Sequence, residues 1–472
     1  MADQRPNTVL AVLLTEAGWS PQQLSKAVND IFGAGTITRT AGYAWLRGNV
    51  PRAAIAPRIA AALTFRLGRE VTAPQIWPEL PGGESPRVEP ASQGLDGPWD
   101  RTAAVEAILD LLAPGDLGRR EFVAVSGAAL LRAVGAWLDP HSTGPLGPPP
   151  ATAPGSVLLE HVEASIPLLQ RLDDAHGGAA HLPYVEAQLS AVALVLRQGG
   201  HPEQVTRGLL AACATIGQLC GWMALDAGQQ AAAQRHWFRA LRAARAVGDR
   251  PLAGHVLADL AFQAACGDAE HAQDGVVLGE AAADVVSRSP ATVRASVSSR
   301  LALAYAASGR RGEFDAAAGL ARDHLAARRE GREPGWMYFL TESHLDCQAG
   351  YAHILMGRRQ ISLGDRAGRA DLQTGVSLLR TGAHQRPEGD PSERRALYEG
   401  AWLALGHGWL TDYDESLRLA ERATGRLSRV DSPRSTHILD TLVAHLRART
   451  GNREIRERLP GIEASLNKAR NR

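Results

Sequence analysis

Between residues 220 and 425 the sequence repeats one phrase in altered wording: a small residue after an acidic or glycine-containing turn, then an apolar stripe at helical spacing. The phrase falls at Ala233, Ala272, Ala316, Ala370 and Ser416, with intervals of 39, 44, 54 and 46 residues. A unit of this length cannot bury its apolar face alone, so neighbours must stack into a solenoid of helix pairs whose concave side becomes a binding surface. The intervals exceed the roughly 34 residues of the tetratricopeptide consensus, so ligand positions do not transfer from that shorter repeat.

A chain of 472 residues exceeds one ordinary core, and an elongated array accommodates it. Hydrophobic residues make up 45% and charged residues 21%, which suits a folded interior. The net charge of +1 excludes recognition of a polyanion by bulk charge and leaves room for one local basic face. Lysine occurs only at Lys26 and Lys468, so arginine carries nearly all positive charge. Cys213, Cys220, Cys266 and Cys347 lack metal-ligand spacing and read as buried reduced thiols. No apolar run approaches about 18 residues and the N-terminus lacks a signal pattern, so the expectation is a cytoplasmic protein with no membrane contact. Arg119-Arg120-Glu121-Phe122-Val123 imitates a twin-arginine signal, but its internal position favours an Arg pair opening an amphipathic helix.

Three segments emerge: a helical domain at 1–80, a stretch at 81–155, and repeats at 156–472. The middle stretch holds Pro/Gly-rich linkers, Pro81 to Pro98 and Pro140 to Gly155, flanking a short helical segment at 102–138. Helical stripes then continue almost unbroken, so the expected class is all-α.

Within the first 80 residues, Ser20, Pro21 and Gln23 mark a capped helix start, and Gly18-Trp19 the turn before it. A short helix is expected from about Thr38 to Arg47, closed by Gly48. Two short helices joined by a turn are the layout of a helix-turn-helix, whose second helix enters the major groove. Thr40, Tyr43, Ala44 and Arg47 fall on one face of the second helix, with Ala41 and Trp45 on the inward side. Arg47 suits a guanine edge, and Thr40 or Tyr43 a base or phosphate. Arg39, Gln22, Gln23, Lys26, Arg52 and Arg58 are candidates for phosphate contacts. The eight residues from Gly33 to Thr40 exceed the usual turn of 3 or 4 residues. Eight basic residues oppose five acidic ones in this segment, an excess of three.

In a tetratricopeptide-like array the first helices of successive pairs line the groove. Polar or aromatic residues expected there are Trp222, Arg235, His255, Gln263 and Arg300, followed by Tyr305, Tyr338, Glu342, His344 and Tyr351. A peptide or a partner's helix is the expected occupant.

The chain contains neither GxxxxGK[ST] nor a strand-borne GxGxxG, and Ser126 lacks the GxSxG elbow. His161, His176 and His181 with Glu160, Glu163, Asp173 and Asp174 form the main His/acid concentration, read as a solvated helix-loop boundary because no ligand spacing organises it. Asp371, Asp412 and Asp414 read as helix-start acids. The expectation is no catalytic set, no metal and no cofactor.

The first 80 residues resemble a divergent Xre or lambda-repressor-type helix-turn-helix, with Trp45-Leu-Arg47-Gly48-Asn-Val-Pro51 where that family ends its recognition helix. The whole chain resembles actinobacterial regulators of the NsdA type, which join such a domain to tetratricopeptide-like repeats. The motifs that carry this are Asp226-Ala-Gly228, Ala240-Leu-Arg-Ala-Ala-Arg-Ala-Val-Gly248-Asp249, Gly118-Arg-Arg-Glu-Phe122 and Ser432-Pro433-Arg434. The resemblance implies a transcriptional regulator of differentiation or secondary metabolism that binds double-stranded DNA. A homodimer is expected because helix-turn-helix proteins commonly bind paired half-sites. The rival reading is a repeat adaptor that assembles proteins without touching DNA.

Overall fold

The computed structural model describes residues 6–32, 37–52, 55–67, 71–80, 89–90, 99–110, 122–124, 126–138, 157–267, 272–449 and 451–470. Most of both proline-rich stretches, Arg119 to Glu121 and residues 33–36 lie outside these. The protein is all-α and divides into two compact units: residues 1–96 with 112–125, and residues 97–111 with 126–472.

The first unit contains α1 (Thr8–Ala17), α2 (Pro21–Phe32), α3 (Ala41–Leu46), α4 (Ala56–Leu67) and α5 (Ala73–Ile76). Leu10, Leu13, Leu24, Val28, Ile59 and Leu63 supply its core, closed by Trp45 and Trp77 edge to face at 6.3 Å. The start of α2 is a reciprocal capping box: Ser20 N–H donates to Gln23 Oε1 at 2.7 Å, and Gln23 N–H to Ser20 Oγ at 3.2 Å. Gly18 closes α1 in the left-handed region. Glu89–Pro90 pair in parallel with Phe122–Val123, the one strand pairing among the described residues. Phe122 and Val123 are thus extended rather than part of a helix, and the next helix begins only at Gly127.

The second unit opens with α6 (Arg101–Leu109) and α7 (Gly127–Leu138). It continues through α8 (Val157–His176), α9 (Gly178–Gln198), α10 (Glu203–Asp226), α11 (Gln230–Val247), α12 (Arg250–Cys266), α13 (Ala272–Val285), α14 (Ala291–Ser308) and α15 (Arg311–Ala326). It ends with α16 (Glu342–Ser362), α17 (Gly368–Leu379), α18 (Glu393–Trp409), α19 (Tyr413–Arg426), α20 (Pro433–Arg447) and α21 (Arg453–Arg470). Consecutive helices pack as pairs, α10 with α11, α12 with α13, α14 with α15, α16 with α17 and α18 with α19. First helices also pack on the next first helix, which makes the array solenoid-like.

The repeated phrase falls in the second helix of every one of these five pairs. Ala233, Ala272 and Ser416 are buried at the pair contact, whereas Ala316 and Ala370 are exposed. Phe314 and Ala317 in α15, and Gly368 and Asp371 in α17, take the buried positions instead. On a helix a slip of one residue turns a side chain by about 100°, so an unaligned stripe places the helix but loses its face.

The helices of the 102–138 segment do not stand apart from the repeats. Helices α6 and α7 belong to the repeat unit and pack on α9, α11 and α13. The reason is the arginine-rich outer face of α11. Arg242 stacks on Trp99 at 4.8 Å, Arg239 Nε–H donates to the Ala107 carbonyl at 2.7 Å, and Arg245 donates to the Trp137 carbonyl.

Two helices, α9 and α10, are long and apolar enough by composition to cross a membrane, contrary to the expectation from uninterrupted runs. In α10 the apolar window is 83% buried within the array, as in a core helix. Of the cysteines, Cys213, Cys220 and Cys347 are buried, while Cys266 is exposed, which corrects the reading that all four are interior.

Candidate functional site

In the first unit, α3 is the element that carries candidate chemistry. It is shorter than expected, because Thr38 to Thr40 form a turn and Gly48, at φ +100°, ends the segment. Thr40 therefore stands at the N-cap position rather than inside the helix. Tyr43, Arg47, Arg39, Thr40 and Arg52 are exposed, Ala44 is half-buried, and Trp45 is buried in the core. Gly42 also faces inward: a Cβ there would lie 2.2 Å from the Pro21 carbonyl oxygen, so only glycine permits this approach of α3 to α2. The Gly42 N–H donates to Ser25 Oγ at 3.1 Å, locking the same contact.

The long connection before α3 is held from α2. Asn29 Nδ2 donates to the Ile37 carbonyl and Ile37 N–H to Asn29 Oδ1, both at 2.9 Å. On α2, Lys26 is exposed, Gln22 half-buried, and Gln23 commits its side-chain oxygen to the capping box. Arg58 is half-buried on α4.

In the second unit the first helices of the pairs surround one cavity, enclosing roughly 800 Å³ of space that opens to solvent. The walls come from α8, α10, α12, α14, α16, α18 and α20, with the turn around Gly335–Met337 closing one side. The array returns on itself to form it: α18 packs on α8 and α20 on α10. Asp431 N–H donates to the His176 carbonyl at 3.0 Å, and Gly177, at φ +79°, lets the chain pass within van der Waals distance of Asp431.

Asp226 is the latch of this closure. It is fully buried, and Ser432 Oγ donates to it at 2.9 Å, Arg434 lies at 3.0 Å, and the Gly178 N–H reaches it at 3.3 Å. Two motifs read separately in the sequence, Asp226-Ala-Gly228 and Ser432-Pro433-Arg434, thus meet across 206 residues. Ser432 also caps α20, and Pro433 stands at its first position, so one short motif both starts the helix and presents the arginine.

Trp222 sits half-buried among three guanidiniums, with Arg434 at 5.0 Å, Arg300 at 5.7 Å and Arg394 at 5.9 Å from its ring centroid. Arg434 also lies 4.1 Å over Tyr398. Each guanidinium has a carboxylate: Arg300 with Asp259 at 2.8 Å, Arg434 with Asp226, and Arg394 with Asp173 and Asp174 at 3.1 Å each. Tyr338 donates to Asp174 at 2.6 Å, and desolvation together with that neighbour pushes its phenol well up. Burial holds the His255 and His344 imidazoles well below their ordinary range, so both are neutral near pH 7. Burial also raises the Asp173 carboxyl to about 7 despite Arg394.

Six of the ten groove candidates, Trp222, His255, Arg300, Tyr338, His344 and Tyr351, line this cavity. The other four do not. Arg235 lies on α11, a second helix. Gln263 turns to the second helix of the preceding pair and donates to the Gln230 carbonyl at 2.9 Å. Tyr305 donates to Glu280 at 2.9 Å, and Glu342 is exposed in the first turn of α16. Sequence reasoning missed Arg394, Tyr398, Phe262, Trp336 and Phe339, and it placed Asp173 wrongly. Asp173 is 3% exposed and ion-paired, not part of a solvated boundary. Asp371, likewise, stands in the first turn of α17 as expected but is buried, with His353 at 2.9 Å. Among the described residues no group of three or more His, Cys, Asp or Glu is placed to hold a metal ion.

Comparison with known proteins adds one match: residues 10–76 fit the family model of the SP15 N-terminal domain. That span runs from within α1 to the end of α5. No curated protein and no solved structure matches the chain.

Proposed function

We propose that the chain is a cytoplasmic DNA-binding transcriptional regulator, with the first unit as its reader and the closed repeat unit as its sensor and dimerisation body. The observation that carries this reading is the division of α3: Gly42 and Trp45 are buried, while Thr40, Tyr43 and Arg47 are left exposed with Arg39 and Arg52 beside them in sequence. Such a helix is braced from behind and offers a hydroxyl, a phenol and a guanidinium for groove edges and phosphates. The resemblance of these residues to Xre-type helix-turn-helix proteins supports the same reading. Gln23, whose side-chain oxygen is used for capping, is the weakest of the phosphate-contact candidates.

The test is retention of genomic DNA fragments by the full chain over a series of salt concentrations. Sequence-selective retention whose logarithm falls linearly with the logarithm of salt is expected, weakened in Arg47→Ala. Absence of retention at the lowest salt overturns the regulator. A stoichiometric protein partner recovered together with that absence establishes the adaptor in its place.

A further inference from the structure

Among the described residues that line the central cavity, Asp173 carries a carboxylate oxygen with no hydrogen-bond partner. Asp173 holds Arg394 through Oδ2 at 3.1 Å, while its buried Oδ1 has no hydrogen-bond partner. An acceptor desolvated in this way destabilises the fold unless a ligand completes it.

The charges facing it leave the same imbalance. Arg300 is matched by Asp259 on α12, Arg395 by Glu399 at 2.9 Å on α18, and Arg434 by Asp226 on α10. Arg394 alone must serve both Asp173 and Asp174 on α8. Five carboxylates therefore meet four guanidiniums, and the imidazoles of His255 and His344 are neutral. The phenols of Tyr338, Tyr351 and Tyr398, from the turn, α16 and α18, are all pushed up and stay uncharged. Above about pH 7, where Asp173 is ionised, the cavity is short of one positive charge.

Its walls suit a cation that carries rings. Trp222, Trp336, Tyr338, Phe339, Tyr351 and Tyr398 line it, and aromatic faces attract cations while accepting flat apolar surface. The guanidinium charges are already matched by carboxylates, although Arg300 Nε and Arg394 Nε have no hydrogen-bond partner. Closure of α18 onto α8 and of α20 onto α10 makes this a bounded chamber rather than a groove running past the ends of the array.

We propose that the chamber binds a ring-bearing monocationic small molecule, its ammonium or amidinium against Asp173 and Asp174 and its rings among the aromatic walls, as the effector of the repeat unit. This rests on the reading of the cavity as the sensing site, and it makes that site a small-molecule one instead of a peptide groove.

Titration calorimetry of the full chain with three matched probes tests it: 2-(1-naphthyl)ethylamine, 2-(1-naphthyl)ethanol and 3-(1-naphthyl)propionate. The amine is expected to bind at least about tenfold more tightly than the alcohol, and the propionate most weakly. Its advantage should shrink as pH falls through about 7, where the Asp173 carboxyl takes up its proton, and should vanish in Asp173→Asn. Phe339→Ala should weaken amine and alcohol alike and preserve their ranking. Should Asp173→Asn fail to fold, the pH series on the natural chain and the Phe339→Ala ranking decide. Equal binding of amine and alcohol, tighter binding of the propionate, or no binding by any probe up to about 5 mM overturns the proposal. DNA plays no part in the measurement, so its failure leaves the DNA-retention result standing, and the reverse.

Discussion

The same side chain does opposite work in the two units. Around α3, Arg47 and Arg52 are exposed, so hydration dominates the cost of using them. In the repeat unit Arg300 and Arg394 are buried at 3% and 8% exposure, each matched to carboxylates and laid against Trp222. A guanidinium in water can exchange its solvent for a phosphate, whereas one taken out of water must bring its counter-charge with it. Arginine content alone therefore says nothing about nucleic-acid binding; desolvation decides which arginines recognise and which ones hold the fold.

The sharpest way to break this contrast is to truncate one arginine of each kind. Arg434→Ala leaves Asp226 buried without its cation and should cost about 3–5 kcal/mol in chemical denaturation. Arg47→Ala should stay within about 0.5 kcal/mol in the same assay. Equal losses would abolish the distinction. Next in size, Gly42→Ala forces a Cβ against the Pro21 carbonyl, and overpacking of this kind costs about 1–3 kcal/mol. Hydrogen exchange should show the loss in α2 and α3 while the repeat helices keep their protection.

On the reading side, Arg47→Ala should weaken specific DNA retention by about 1–3 kcal/mol and relax selectivity at one base position. A uniform loss at every position would instead make Arg47 a phosphate contact. A further effect is a slope. The Asp173 carboxyl is raised in the folded chain to about 7, above its ordinary value. Its contribution to stability is therefore complete below the ordinary carboxylate range and is lost as pH rises through about 7. Asp173→Asn should flatten that part of the pH–stability curve, measured by denaturant titration across the window. An unchanged slope would mean that Arg394 already compensates the charge.

Local signals in the sequence were read well where the physics is local. The capping box at Ser20 and Gln23, the turn at Gly18, and the five second helices marked by the repeated phrase all depend on residues within a few positions of each other. Facing direction was not legible. Ala316 and Ala370 carried the phrase but are exposed, and Arg235, Gln263, Tyr305 and Glu342 miss the cavity, because a helical stripe without alignment does not say which neighbour covers it. Asp173 looked solvated because its cation, Arg394, lies more than two hundred residues away. The arginine-rich face of α11 gave no hint that Trp99 and Trp137 return to cover it.

What the sequence by itself determined is the class and the grain of the molecule: an all-α chain, a small helical unit ahead of a longer array, and helix pairs stacked in order. Those follow from periodicity, caps and glycine turns, which act over one or two turns of helix. Only the tertiary structure decided that the array closes. Closure depends on Asp226 meeting Ser432 and Arg434, and on α8 meeting α18, contacts between residues that share no local pattern. With closure come a bounded cavity, the burial that lifts Asp173, and the missing positive charge, since the charges that set them come from α8, α10, α12, α14, α18 and α20 together.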